Sequence, residues 1–311
     1  MNTAKRILVV PLDWGLGHAA RCVPLIRQWI ADGHSIYLAG NGRSKTFLKG
    51  YFPDVHWLPD PPDYGVSYPV QGSFVWHMLK QVPRLVQIIH QEKIWLDEMI
   101  ETYAIQEVVS DNRYGLYSAM HKSVIITHQT APIVPRLFAP LVHRMIKGWN
   151  ERFTETWIPD IEPNERSLGG VLSHENLPCN ACYIGWLSRL ERPIVDEFEK
   201  YTTVAVVSGP EPTRTLFQQK LLERLQKEEG KHLLVCGTPD VSDDRVSHNV
   251  RVVSHLNDTE MAHALIHARL VISRSGYSSL MDYKKLGVTS VELEPTPGQT
   301  EHIYLKDRFF L

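Results

Sequence analysis

Residues 270–302 read LVISRSGYSSLMDYKKLGVTSVELEPTPGQTEH. The short apolar run Leu270 to Ser273 has the length and branched content of a buried strand. Ser273-Arg274-Ser275-Gly276 then turns the chain into a helix expected over Ser278 to Leu286. A second strand follows at Thr289 to Leu293, after which Gly298-Gln299-Thr300-Glu301-His302 returns as a polar loop. Ligands of parallel sheets bind at the carboxyl ends of strands. Arg274, Ser275 and Gly276 stand at such an end, Asp282 lies on the helix that follows, and Gln299 and Glu301 come after the next strand.

Upstream, the same rhythm of short β-branched runs and helical periods extends back to a strand at Thr203 to Val207 and a helix at Thr213 to Lys227. Strands at His232 to Cys236 and Arg251 to Val253 follow, then a helix over Asp258 to His267, where Asn257 and Glu260 have capping-box spacing. Between the first strand and helix lies Ser208-Gly209-Pro210-Glu211-Pro212-Thr213-Arg214. Gly209 permits close backbone approach, Thr213 can cap the helix, and Arg214 can pair with an anionic oxygen. The two prolines remove backbone donors, so the segment is not a P-loop.

The first half repeats this plan. Strands are expected at Arg6 to Pro11, Ser35 to Ala39, Val55 to Leu58, Glu107 to Ser110 and Val124 to Thr127. Helices are expected at Ala19 to Ala31, at Ser73 to Glu101 with a break at Pro83, and at Leu141 to Phe153. The first strand runs into DWGLGHAARCVPL, residues 13–25, where Gly15 and Gly17 allow a tight turn and His18 stands at the opening of a helix. This is not a dinucleotide fingerprint, since Ala20 holds the third glycine position and no acidic residue closes a second strand. The polar, glycine-rich segment Pro159 to Pro178 reads as a linker or long loop near a domain boundary. The resulting expectation is an α/β chain of two Rossmann-like domains, 1–185 and 186–311. A complete second domain would continue past Leu293, so a shortened C-terminus is expected.

Composition narrows the function. A net charge of −2 with interspersed signs offers no field for nucleic acid. Four cysteines and no charged-then-apolar leader point to a reducing, cytoplasmic setting, and no run of 18 apolar residues is free of charge or proline. Attachment to the inner face of a membrane stays open. Cys179 and Cys182 form a lone CxxC without a second pair, so incidental thiols are the plain reading. His263 and His267 share a helix face but lack the glutamate of a zincin. The mixed aromatic, apolar and basic stretches Phe74–Lys80 and Leu141–Trp149 read as core-packing helices with a solvated basic edge, the alternative being a membrane-surface helix.

The 270–302 stretch resembles the nucleotide-sugar-binding signature of GT-B glycosyltransferases, in particular glycosyltransferase family 28, which includes the enzyme that transfers N-acetylglucosamine to lipid-linked muramyl peptide. The resemblance implies a diphosphate turn at Arg274, Ser275 and Gly276, a ribose contact at Asp282 where the family has Glu, and a donor-sugar contact at Gln299 beside Glu301. It places His255 and Leu256 where backbone reads the base, and Ser208, Gly209 and Arg214 at the loop opening the donor domain. Gly15, Gly17 and His18 resemble the N-terminal glycine-rich loop that faces the donor across a cleft. His18 is the first choice for a base that takes a proton from the acceptor hydroxyl, and Asp13 the alternative. Asp111, Asn112 and Arg113, and His128 and Gln129, follow strands of the first half and are expected on the acceptor side, unless they are ordinary turn and cap residues.

The expected activity is inverting, metal-independent transfer of a hexosyl or N-acetylhexosaminyl group from a UDP-linked donor to a hydroxyl acceptor, lipid-linked at a membrane surface in the family named. UDP and inversion come from the resemblance; no Asp-x-Asp occurs in the chain for a metal-dependent GT-A site. No cofactor is expected beyond the nucleotide-sugar substrate. The alternatives are a hydrolase or epimerase of the same fold and a non-catalytic nucleotide-sugar-binding protein.

Overall fold

The inner strands of the chain are apolar on both faces because helices cover both, and the structure shows how those faces divide. In the computed structural model, which describes residues 4–65, 74–194, 199–239 and 241–310, the first strand sends Ile7 and Val9 to one side and Leu8 and Val10 to the other. The first unit runs β1 (Arg6–Pro11), α1 (Leu16–Ala31), β2 (Ser35–Leu38), α2 (Gly42–Tyr51), β3 (His56–Trp57), α3 (Phe74–Tyr103), β4 (Glu107–Asp111), β5 (Lys122–Ile126), α4 (Ala139–Asn150), β6 (Glu155–Ile158), α5 (Val171–His174) and β7 (Ala181–Tyr183). Its seven strands are parallel in the order β3-β2-β1-β4-β5-β6-β7. The Ile7 face packs on Ala19, Cys22, Val23 and Ile26 of α1, and the Leu8 face on Leu96 and Met99 of α3.

The second unit runs β8 (Thr203–Val206), α6 (Thr213–Leu225), β9 (His232–Val235), β10 (Asp244–Ser247), β11 (Val250–Val253), α7 (Asp258–His267), β12 (Leu270–Arg274), α8 (Tyr277–Leu286), β13 (Val291–Glu294) and α9 (Thr300–Phe309). Its strand order is β10-β11-β9-β8-β12-β13, parallel except for the β10–β11 hairpin. Both sheets therefore reverse strand order beside their first strand, at β1/β4 and at β8/β12. Crevices for ligands open at such switch points.

Several expectations are corrected. The helix through Pro83 is unbroken over its 30 residues. One missing N–H is outweighed by the packing of Ile88, Ile89, Leu96 and Met99 further along. The segment Pro159 to Pro178 is no linker, because β7 follows it and joins the first sheet. It wraps around the buried Asp160, whose Oδ1 accepts from Ile161 N, Leu168 N and Trp186 Nε1 and whose Oδ2 accepts from Gly169 N and Ser173 Oγ. The helix α4 is not a core element: Leu141 is exposed and Asn150 is its buried residue. The side chains of Phe74–Lys80 lie outside the described residues. No helix among the described residues is long and apolar enough to cross a membrane. The capping box of α7 forms as expected, with Asn257 Oδ1 accepting from Glu260 N and Glu260 Oε2 from Asn257 N.

The two units meet through the carboxyl edges of their sheets. The N-terminus of α1 faces that of α8, where Ser278 Oγ donates to Gly17 O at 3.0 Å. One face of α9 docks on the first unit: Tyr304 Oη takes a hydrogen bond from Val171 N, and Arg308 donates to Ser167 O and Oγ.

Candidate active site

At the β1/β4 switch point, Gly15 leaves β1 with φ +135° and caps α1 without a side-chain bond. A Cβ there would meet nothing within 4 Å, so the glycine is demanded by its backbone angle, and the space in front is open. His18 follows in the first turn of α1, and Asp111 ends β4. His18 Nδ1 and Asp111 Oδ1 lie 2.6 Å apart. Because an ionised carboxylate only accepts, Nδ1 carries a proton, and in the neutral ring the lone pair is on Nε2. Arg21, one turn along α1, grips both oxygens of Asp111 through Nε and Nη2. Arg21 is 1% exposed and Asp111 fully buried. Burial alone would raise the Asp111 carboxyl, but the Arg21 charge and the hydrogen bonds from Arg21 and His18 hold it at about 2.

The network continues across the units. Arg21 Nη1 lies 3.1 Å from His128 Nδ1, beyond the end of β5, and His128 Nε2 lies 2.9 Å from Glu301 Oε1 on α9. Gln129 Nε2 donates to the other Glu301 oxygen. Since a guanidinium only donates and a carboxylate only accepts, His128 is the Nε2–H tautomer. Burial lowers its pKa, against the pull of Glu301. Its ring stacks on Tyr277 with centroids 4.1 Å apart. His18, Asp111, His128, Gln129 and Glu301, expected from separate segments of sequence, thus converge on one site. Arg21 is not among the sequence candidates; the available signal is that it lies three residues past His18, on the same helix face.

Other expected residues have different tasks. Asp13 Oδ1 accepts from Ser44 N at 2.9 Å, and a Cβ on Gly42 would fall 2.1 Å from Asp13 Oδ2. Asp13 therefore caps α2, whose own N-cap Asn41 makes no side-chain capping bond. Arg113 does not face an acceptor space: it is buried, donating to Glu92 Oε1 at 2.7 Å, Asn41 Oδ1 at 3.0 Å and Pro62 O at 2.5 Å. Asn112 adopts φ +55° beside Asp111, and its buried Oδ1 has no hydrogen-bond partner.

In the second unit, β12 ends in Arg274, but its guanidinium stacks 3.8 Å above the Phe217 ring and donates to Glu294 O and Pro295 O at 3.4 and 2.8 Å. It braces the β13–α9 connection. Arg214 is likewise engaged by its own loop, donating to Glu211 Oε1, Gln218 Oε1, Thr215 Oγ1 and Cys236 O. Thr213 does not cap α6; its hydroxyl donates to Pro210 O. Ser208 and Gly209 leave β8 at the second switch point, Gly209 with φ +110°. Ser275 Oγ donates to His302 O at 2.6 Å. Gly276 caps α8 with no side-chain bond, and a Cβ on it would meet nothing within 4 Å. Gln299 is the N-cap of α9, also without a side-chain bond.

Asp282, on α8, accepts from Ser188 Oγ, and burial pushes its carboxyl up to about 6 against the pull of Arg189. Leu256 is buried, and His255 meets the Phe47 ring edge to face at 5.7 Å, its pKa lowered to about 4 by burial and by Arg189. A second cross-unit cluster, unforeseen in the sequence, joins Arg27 and Tyr51 to Asp258 and Arg189. The residues these bonds join lie 69 to 231 positions apart, and no local pattern marks them.

The chain has the GT-B fold. Solved glycosyltransferases share its architecture along nearly its whole length. SnogD from Streptomyces nogalater matches with a TM-score of 0.60 at 15% identity, over 97% of this chain and 85% of that one. The spinosyn rhamnosyltransferase SpnG, solved with thymidine diphosphate, matches at 0.61 and 12% identity, over 96% and 83%. MurG of Acinetobacter baumannii matches at 0.52 and 10% identity, over 98% and 82%. No protein-family model matches the sequence, and no curated protein matches it.

Proposed function

We propose that this chain transfers a glycosyl group from a nucleoside diphosphate sugar to a hydroxyl acceptor. The observation that carries the reading is the His18–Asp111 pair at the mouth of the first sheet, facing a second sheet whose α8 presents an open, uncapped N-terminus. The Nδ1–H of His18 is held by an ionised carboxylate, so Nε2 is a lone-pair base directed away from Asp111. It takes the acceptor's hydroxyl proton while the acceptor oxygen attacks the anomeric carbon. The sugar–phosphate bond breaks and the nucleoside diphosphate leaves from the opposite face, inverting the configuration.

The departing charge has a ready environment. The helices α1 and α8 both begin at glycines with no side-chain cap and no acidic residue in the first turn, so their amide N–H groups remain to receive an anion. Preorganised backbone dipoles of this kind support a metal-independent route. Arg274 and Arg214 contribute by shaping the loops rather than as free cations. Asp282 receives the ribose, the His255–Leu256 backbone the base, and Gln299 with Glu301 the sugar. The family resemblance supports UDP and a hexosyl or N-acetylhexosaminyl group, and solved neighbours include one holding thymidine diphosphate and one holding UDP-L-rhamnose.

The test is a panel of UDP- and dTDP-linked sugars incubated with polyol and glycolipid acceptors, read by mass spectrometry and by the anomeric proton coupling of the product. A new glycoside of inverted configuration is expected, and it should be lost in His18→Ala while UDP binding persists in calorimetry. Free sugar or an epimer as sole product in every incubation would replace transfer with hydrolysis or epimerisation. Binding without any turnover would leave a nucleotide-sugar-binding protein.

A further inference from the structure

We infer that Arg21 is a positioning residue that fixes the tautomers of both His18 and His128, so that one buried guanidinium keeps the base ready and ties it to the donor-side helix α9. The inference rests on the function proposed above. Its geometry starts from a fork: Nε and Nη2 donate to the two oxygens of Asp111, and Nη1 is turned to His128 Nδ1 at 3.1 Å. Nη2 also stands 3.1 Å from His18 Nδ1. Both nitrogens carry hydrogen there, so no bond forms between them, and the shared acceptor is Asp111 Oδ1.

The consequence follows from what each group can do. A carboxylate held ionised has no proton to give, and it can only receive one from His18 Nδ1. Without the arginine, burial would dominate at Asp111 and favour its neutral form. A protonated Asp111 can donate to Nδ1, which moves the imidazole proton to Nε2 and removes the lone pair from the acceptor side. Asp111 is faced by His18, Arg21 and Cys22 from α1 and by Tyr114 from its own loop, with His128 and Glu301 beyond Arg21. Of these, Arg21 supplies the permanent charge. The same side chain presents only donors to His128, which leaves His128 Nε2–H to donate to Glu301.

Lysine would keep the charge but lose the fork, since an ammonium is a single point and cannot span both carboxylate oxygens and His128 in one plane. Arg21→Lys and Arg21→Met separate these contributions. The measurement is the ¹⁵N chemical shift of the imidazole nitrogens in uniformly labelled protein, assigned with His18→Ala and His128→Ala, beside steady-state release of nucleoside diphosphate from the active donor. Wild type is expected to show His18 as Nδ1–H and His128 as Nε2–H. In Arg21→Met the His18 pattern should shift to Nε2–H, with kcat down by ~10²-fold or more and donor KM within a few-fold, as loss of an oriented base requires. Arg21→Lys should fall between the two.

A wild-type His18 in the Nε2–H form would overturn the inference whether or not any variant folds. So would a folded Arg21→Met with wild-type ¹⁵N shifts and kcat, whose only defect was a lower melting temperature. The tautomers are read without turnover, so an absence of glycosyl transfer in wild type would sink the proposed function and leave this measurement to decide on Arg21 alone.

Discussion

Replacing Asp111 by asparagine separates stability from chemistry at the centre of the site. The substitution keeps the shape of the side chain and removes its charge, leaving a guanidinium that is 1% exposed without a counter-ion. Breaking one partner out of a buried ion pair costs ~3–5 kcal/mol. Linkage gives a consistent scale: a carboxyl held at about 2 in the folded chain, against ~3.9 unfolded, draws ~2–3 kcal/mol from ionisation. The pKa is depressed, so this contribution is complete above pH ~4 and disappears as the pH falls through about 2. Urea unfolding at neutral pH should therefore show Asp111→Asn less stable by ~3–4 kcal/mol. Stability of the double variant Arg21→Met/Asp111→Asn should largely return, because a neutral pair leaves no uncompensated charge. Activity should not return with it. The amide no longer dictates the His18 tautomer, and turnover should fall by ~10²–10⁴-fold in both variants, with UDP affinity in calorimetry unchanged. Turnover of Asp111→Asn within about tenfold of wild type, less than ~1.4 kcal/mol of barrier, would refute the reasoning that this carboxylate orients a base.

Further outcomes follow from other contacts. In Gly17→Ala the new methyl would lie 2.8 Å from Ser278 Oγ, so the bond to Gly17 O is lost at ~1 kcal/mol, and Ser278→Ala in the same chain should recover part of the melting temperature, leaving the 3.1 Å approach to Cβ. Arg113→Met should destabilise the chain by ~3–5 kcal/mol in urea because Glu92 is left buried and unpaired, while calorimetric UDP affinity stays at the wild-type value. Asp282 is raised to about 6, so its carboxylate is lost as the pH falls through that value; UDP binding should be flat above pH ~7, weaken below about 6, and lose this dependence in Asp282→Asn.

The strands and the turns after them are legible because they are local. An apolar run such as Ile7 to Val10 must be buried on both faces, and glycine after it must make a turn, whatever lies elsewhere in the chain. Elements that rest on tertiary support leave no such mark: β7 is a half-exposed three-residue strand held by pairing with β6, and α2 takes its cap from Asp13, 31 positions upstream of Ser44. Asp13 and Arg113 illustrate the limit for site residues. Both are polar groups after strands, which is the pattern of ligand-binding residues, and both turn inward to bind the chain's own backbone and side chains.

Periodicity and turn chemistry are sufficient for the parallel core of both sheets, for the loops at their carboxyl ends, and for His18 and Asp111 as residues worth attention, since each depends on neighbours a few positions away. Which oxygen accepts from which nitrogen is another matter. Asp111 lies 93 positions from His18, and Glu301 lies 173 from His128, so their meeting depends on strand order and on how the two units pack. A side chain's role at such a distance is set by the donors and acceptors that folding brings within 3 Å of it, and only the folded chain specifies those.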